Sequence, residues 1–162
     1  MQPIITIELS SSNMKFAAGH FTIFSQEERE NLHGHNFKVA CSIEALMGPN
    51  GLAFDYKKFK DRISHTCQQL DEVLLLPQLS PYLKVEEQAD YYHCYFNHEK
   101  LYFLKRDAVL LPIRNTTIED LAGWFLQGLI NEFDDEDKIN IQSLTVKVSS
   151  SPSQTGAATW KK

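Results

Sequence analysis

The sequence predicts an α+β domain. Three observations carry this. Runs of strict apolar/polar alternation lie at both ends of the chain, at residues 5–9, 14–20, 33–45 and 144–148. Two stretches between them carry apolar residues at helical spacing, Phe59, Ile63, Cys67, Leu70 and Leu121, Trp124, Phe125, Leu129. Between the two helices lies an aromatic-rich pair of short runs that reads as a β-hairpin. The predicted order is two strands, helix, hairpin, helix, two strands, in one domain spanning residues 1–162.

The first strand places Ile5, Ile7 and Leu9 opposite Thr6 and Glu8, and Ser10-Ser11-Ser12-Asn13 interrupts it. Alternation resumes with Met14, Phe16, Ala18 and His20 on one face. Residues 24–31 form a polar loop. From His33 a long strand sets His33, His35, Phe37, Val39, Cys41, Ile43 and Ala45 on one parity, and Gly48-Pro49-Asn50-Gly51 marks a turn. Asp55 caps the first helix, which ends near Asp71-Glu72, and Leu74-Leu75-Leu76-Pro77 closes that unit. The hairpin occupies about 88–112, with Tyr91 to Phe96 and Leu101 to Leu104 flanking Asn97-His98-Glu99-Lys100. Thr116-x-x-Glu119 matches a capping box for the second helix. Asp134 to Asp137 read as a solvated acidic loop. The last strand carries Leu144, Val146 and Val148, and residues 156–160 form a short edge strand.

Composition excludes several function classes. A net charge of -5 with no basic stripe argues against nucleic-acid binding. No apolar run reaches the ~20 residues that span a bilayer, and the N-terminus lacks a secretory pattern. Three cysteines without a CxxC pair fit neither a disulfide framework nor a cysteine zinc finger. A reducing, cytoplasmic compartment is expected.

The chemistry centres on Leu32-His33-Gly34-His35-Asn36. Histidines two apart on a strand share a face. With His20 upstream they make three imidazoles that can converge on one zinc ion, leaving its fourth position open. Cys41 and Cys67 are core residues by their parity and helix face, and His65, His93 and His98 have no partner at ligand spacing.

Phe16-Ala-Ala-Gly-His20, the loop, His33-Gly-His35-Asn36 and Gly51-Leu-Ala-Phe-Asp55 resemble the 6-pyruvoyltetrahydropterin synthase and 6-carboxytetrahydropterin synthase family over nearly the whole chain. The resemblance implies the tunnelling fold (T-fold), an antiparallel sheet with two helices packed on one face. It also implies trimers that pair into homohexamers around a sheet-lined barrel, with active sites between subunits. It implies a lyase that breaks a carbon–oxygen or carbon–carbon bond of 7,8-dihydroneopterin triphosphate in queuosine or folate biosynthesis. Zn2+ would be held by His20, His33 and His35.

The chain departs from the family pattern at three places. The catalytic cysteine before His-Gly-His is absent. The Arg29-Glu30-x-Leu32-His33-Gly34-His35 run resembles a subgroup in which glutamate stands in for it and the product is 6-hydroxymethyl-7,8-dihydropterin, which makes Glu30 the candidate base. The family's Asp-His dyad reads Asp71-Glu72, with Asp71 the candidate assistant. The pterin-anchoring glutamate falls near Ser149-Ser150, where no carboxylate stands. Thr117 and Glu119 align with the family's Thr-x-Glu at the pterin pocket and are the candidate substrate-binding residues. The alternative is a non-catalytic or altered-substrate zinc-binding homologue with a pterin- or purine-like ligand.

Overall fold

The computed structural model describes residues 1–162. Its strands and helices, in chain order, begin with β1 (Ile4–Leu9), β2 (Lys15–His20), β3 (His33–Leu46), α1 (Tyr56–Leu70) and β4 (Val73–Pro77). There follow β5 (Leu83–Gln88), β6 (Tyr91–Phe96), β7 (Glu99–Leu104) and β8 (Ala108–Leu111). The chain ends with α2 (Ile118–Ile130), α3 (Asp135–Asn140), β9 (Ile141–Ser151) and β10 (Gln154–Lys161). No helix is long and apolar enough to cross a membrane.

The organising strand is β3. Its 14 residues serve two neighbours on one side. Its first half pairs with β2, from His33 opposite His20 to Lys38 opposite Lys15, and its second half pairs with β1, from Cys41 opposite Leu9 to Leu46 opposite Ile4. Along the other side it pairs with β9, and β10 completes that edge. The interruption at residues 10–13 is therefore the break between two short strands that share one long partner.

The sheet is α+β in class but mixed in direction. The expected antiparallel sheet is corrected on its other flank, where β4 runs parallel to both β2 and β8. The order is β10-β9-β3-β2-β4-β8 with β1 also on β3. Residues 73–77 are thus a central strand. They show no alternation because both faces are covered, Leu75 by the main core and Leu74 and Leu76 by a second cluster.

The insertion is larger and begins earlier than the hairpin read at 88–112. β5, β6 and β7 form a separate three-stranded sheet over residues 83–104, and residues 108–111 return to the main sheet. Leu83, Cys94 and Phe96 on its inner face pack against Phe21, Ile23, Leu74 and Leu76. Its first strand, with Lys84, Glu86 and Glu87, carries too little apolar character to announce itself.

Helices α1 and α2 cover one face of the main sheet. Phe59, Ile63, Cys67 and Leu70 are buried from α1, and Leu121, Ala122, Phe125, Leu126 and Leu129 from α2. They meet Phe16 and Phe37, whose rings stack across β2 and β3 at 4.9 Å.

The acidic run 134–137 is corrected as well: it opens a third helix. Asp134 and Asp137 form a reciprocal capping box, and Asp137 is 2% exposed. Burial of that carboxylate is possible because the Lys58 ammonium reaches in to bond both Asp137 and Asp134.

Candidate metal centre and active site

The antiparallel register of β2 and β3 builds the site. His20 sits directly opposite His33, and Ala18 opposite His35. The three histidines share the parity of Phe16 and Phe37, so they continue the apolar face to its end. Ala18, with its single methyl, leaves room above it for the His35 ring. Gly34, between the two histidines, faces the other way, where a Cβ would press the Ala18 carbonyl at 3.3 Å.

The nitrogens converge. One ligand atom from each ring lies within 4.8 Å of the others, and His33 Nε2 lies 3.0 Å from His35 Nε2. Two backbone carbonyls set the tautomers. His20 Nδ1 donates to Thr116 O at 2.8 Å, and His33 Nδ1 donates to Asn31 O at 2.7 Å. A carbonyl only accepts, so both rings carry their proton on Nδ1 and turn an Nε2 lone pair to the centre. His20 Nε2 is buried without a hydrogen-bond partner. An orphaned buried acceptor facing a second lone pair is unfavourable by itself and fits a cation held between them. The residues therefore suit a metal ion of the kind that takes neutral imidazoles. Burial pushes the His20 ring's pKa down, the Thr116 carbonyl opposes this, and the neighbouring His33 and His35 add to the lowering. A ring that stays neutral is the form a metal requires.

The second layer was not legible from spacing. Thr116 reaches His20 through a turn fixed at several points. Thr116 Oγ1 donates to Phe21 O at 3.0 Å, and Asn115 Nδ2 donates to Ile23 O at 2.7 Å. Asn115 Oδ1 accepts from Ile23 N and Thr116 N, while Asp120 accepts from the amides of Arg114 and Asn115. The capping box expected at Thr116 and Glu119 is corrected accordingly. Thr117 is the N-cap and accepts from Asp120 N, because Thr116 is already committed to Phe21.

Glu30 is brought to the cluster. Its Oε2 lies 3.4 Å from His33 Nε2 and accepts from Thr22 N at 3.2 Å, while its own N–H donates to Thr22 O at 2.8 Å. Asp71 and Glu72 together clip β2. Asp71 Oδ1 accepts from Ala17 N and Glu72 N donates to Ala17 O, both at 2.7 Å. None of Asp71's hydrogen bonds reaches a histidine. Its second carboxylate oxygen has no protein partner. The clip requires Glu72 to take φ +58°, a left-handed conformation.

Thr117 and Glu119 lie at the first turn of α2. Gly156 of β10 packs directly beneath this turn, where a Cβ would meet Ile118 C at 2.8 Å and Glu119 N at 3.0 Å. Gly156 pairs with Val148 of β9, so the first turn of α2 lies over this pair. His33, His35, Asn36, Lys38, Glu72 and Ser149 line a groove of about 1110 Å³ that does not include Thr117 or Glu119.

The sequence profile described as 6-pyruvoyl tetrahydropterin synthase matches residues 9–159. The chain belongs to this family. The fold agrees. The crystal structure of the 6-pyruvoyl tetrahydropterin synthase of Plasmodium vivax superposes with a TM-score of 0.91 at 29% identity, covering 99% of each chain. A second structure of the Plasmodium vivax synthase, in which a glutamate described as a catalytic residue is replaced by alanine, matches at a TM-score of 0.90 and 28% identity, covering 99% of each chain. In Methanocaldococcus jannaschii, the relative named "Putative 6-carboxy-5,6,7,8-tetrahydropterin synthase" is 24% identical over 138 residues, 85% of this chain and 84% of its own. The family is one of pterin synthases, which supports an enzyme, and the chain has their T-fold scaffold.

Proposed function

We propose that the protein is a zinc-dependent lyase acting on 7,8-dihydroneopterin triphosphate, with His20, His33 and His35 holding the metal and Glu30 as general base. The observation that carries the reading is the meeting of the Glu30 carboxylate with the His33 imidazole at 3.4 Å, beside the partnerless Nε2 of His20. When bound, zinc would supply Lewis-acid polarisation of the substrate's side-chain hydroxyls. Glu30 takes the proton of one of those hydroxyls. Its carboxylate is already turned to the centre by the Thr22 amide. Proton removal then drives cleavage of the side chain's C1′–C2′ bond, releasing 6-hydroxymethyl-7,8-dihydropterin and a two-carbon aldehyde that carries the triphosphate, or elimination of triphosphate to the 6-pyruvoyl product. The 6-carboxy product requires loss of triphosphate and of a two-carbon aldehyde. A glutamate catalytic residue in the Plasmodium vivax synthase supports a carboxylate in this role.

Thr117 and Glu119 bind the heterocycle. A carboxylate accepts two hydrogen bonds from an amino group and an adjacent ring N–H. Glu119, in the first turn of α2 over the Gly156–Val148 pair, is the candidate for the acceptor that β9 lacks. Asp71 assists by fixing β2 at Ala17, three residues before His20, and by its unpartnered oxygen. The free outer edge of β10 supports assembly into a trimer or hexamer.

A second reading, a zinc-binding homologue that holds a pterin- or purine-like ligand without this turnover, is favoured by the use of Asp71 and Glu72 as a backbone clip. Zinc-loaded protein incubated with 7,8-dihydroneopterin triphosphate, with products separated by chromatography and mass, decides between them. A 6-hydroxymethyl product lost in Glu30→Gln with zinc retained supports the lyase. Tight binding with no product establishes the second reading.

A further inference from the structure

The loop that carries Glu30 has no apolar periodicity of its own to fix its shape, yet Arg29 at its centre is nearly enclosed, with a side chain 13% exposed. Its guanidinium is held by hydrogen bonds and by two aromatic rings. Nε and Nη2 donate to the two carboxylate oxygens of Glu99 at 3.3 and 2.9 Å. Nη1 donates to the main-chain carbonyl of Glu30 at 2.9 Å. Cζ lies 5.1 Å from the ring centre of Phe21 and 5.9 Å from that of Phe96. Phe96 and Glu99 belong to β6 and β7, on either side of the turn at Asn97-His98. Beside the apolar packing of Phe21 and Ile23, the inserted sheet therefore grips the loop through this side chain.

We propose that Arg29 and Glu99 form a positioning clamp through which the inserted sheet holds Glu30 at the histidine cluster. The inference rests on the reading of Glu30 as base. The two-pronged carboxylate contact fixes the plane of the guanidinium, and the two aromatic rings limit its tilt. Nη1 then fixes the Glu30 carbonyl, while Thr22 holds the Glu30 amide and carboxylate. Glu30 is located by three of its own atoms, on two sides. A lysine offers a point charge and no fork, so it would not set this geometry. Glu99 is 52% exposed, and an ion pair so open to solvent adds little to stability. Its effect lies in placement, where a displacement of about 1 Å lowers a rate by as much as ~100-fold.

The test is a double-mutant cycle on the zinc-loaded, full-length protein, using Glu99→Gln, Glu30→Gln and the two together. The readouts are kcat, KM, zinc content, melting temperature and hydrogen exchange at the amides of Thr22 and Glu30. Glu99→Gln is expected to lower kcat by about 10- to 100-fold with KM, zinc content and melting temperature unchanged. Exchange at the two amides should quicken. In the Glu30→Gln background Glu99→Gln should cost nothing further, and Glu99→Asp should restore part of kcat. Unchanged exchange overturns the clamp. So does a kcat loss that persists in full without Glu30, or one that appears only with loss of zinc or of melting temperature. Should Glu99→Gln fold poorly, Glu99→Asp in the same cycle decides by the same criteria. Wild-type turnover in Glu30→Gln removes the base reading instead, and the exchange rates then show separately whether the insert holds the loop.

Discussion

His20 Nδ1 donates to the backbone carbonyl of Thr116, 96 residues away, at 2.8 Å. This bond joins β2 to the turn before α2 and decides which nitrogen of the ring faces the centre. The turn is itself set by Asn115, whose amide group makes bonds in both directions to Ile23.

Asn115→Ala should therefore act on the proposed metal site without touching it. It removes two bonds to Ile23 and one to the Thr116 amide. A stability loss of about 1–3 kcal/mol is expected, together with a zinc affinity lowered ~10- to 100-fold. Urea unfolding and competition with a metal chelator measure the two effects. Stability falling without any change in affinity would separate Asn115 from the orientation of His20.

The pH behaviour of the metal-free protein follows from the same ring. Its depressed pKa means the unfolded chain takes up the proton first. Stability contributed by neutral His20 is complete above the ordinary histidine range and is lost as pH falls through it towards the depressed value. Melting of the metal-stripped protein should drop as pH is lowered below about 6.5. His20→Phe should flatten that part of the profile.

The histidine cluster was readable in the sequence because strand parity fixes side-chain direction, so His20, His33 and His35 share a face wherever β2 and β3 pair in register. Glu30 was readable only through the likeness of the Arg29 to His35 run to the glutamate subgroup. The partners that orient these groups were hidden for a physical reason. Thr116 and Asn31 act through backbone carbonyls, which every residue has, and Glu99 acts across 70 residues of chain. Residues 73–77 escaped as a strand because burial on both faces erases alternation. The buried end of the acidic run escaped because its counter-ion, Lys58, lies in another helix.

Cys41, Cys67 and Cys94 are buried thiols with no partner, and burial pushes their pKa values up to about 12, about 12 and about 11. At pH 8 the folded protein presents almost no thiolate, so alkylation should be slow at all three and complete only in denaturant. Because the folded state resists ionisation, stability is held below the ordinary thiol range and declines as pH rises above it, where the unfolded chain loses protons. Mass spectrometry after native alkylation gives the count. A thiol modified rapidly in the native state would contradict the packing around it.

Lys58 is the sole cation on the buried Asp137 and also bonds Asp134. Lys58→Met keeps the side-chain volume and removes the charge. Asp137 would retain the Asp134 amide as its hydrogen-bond donor. A loss of about 1–3 kcal/mol is expected in urea unfolding. The Lys58 contact also holds the Asp134 carboxyl below the usual carboxylate range, so its contribution is present above that range and lost as pH falls through it. The variant should lose this part of the acid sensitivity. A change near zero would mean that water replaces the ammonium at Asp137.

Glu72 holds φ +58° so that its amide can reach the Ala17 carbonyl. An L residue in this region carries a strain of roughly 1–2 kcal/mol, which glycine avoids. The exposed side chain contributes no hydrogen bond to the clip; the backbone does. Glu72→Gly should therefore raise stability by roughly 1 kcal/mol with the Ala17 bond kept. Glu72→Ala, which retains the strain, should leave stability near that of the natural residue. Thermal and urea unfolding of the pair make the comparison. The difference between the two variants reports the backbone strain less the greater unfolded-chain entropy of glycine, because both remove the carboxylate. Equal stability of the glycine and alanine variants would show that residue 72 leaves the left-handed region once its side chain is removed.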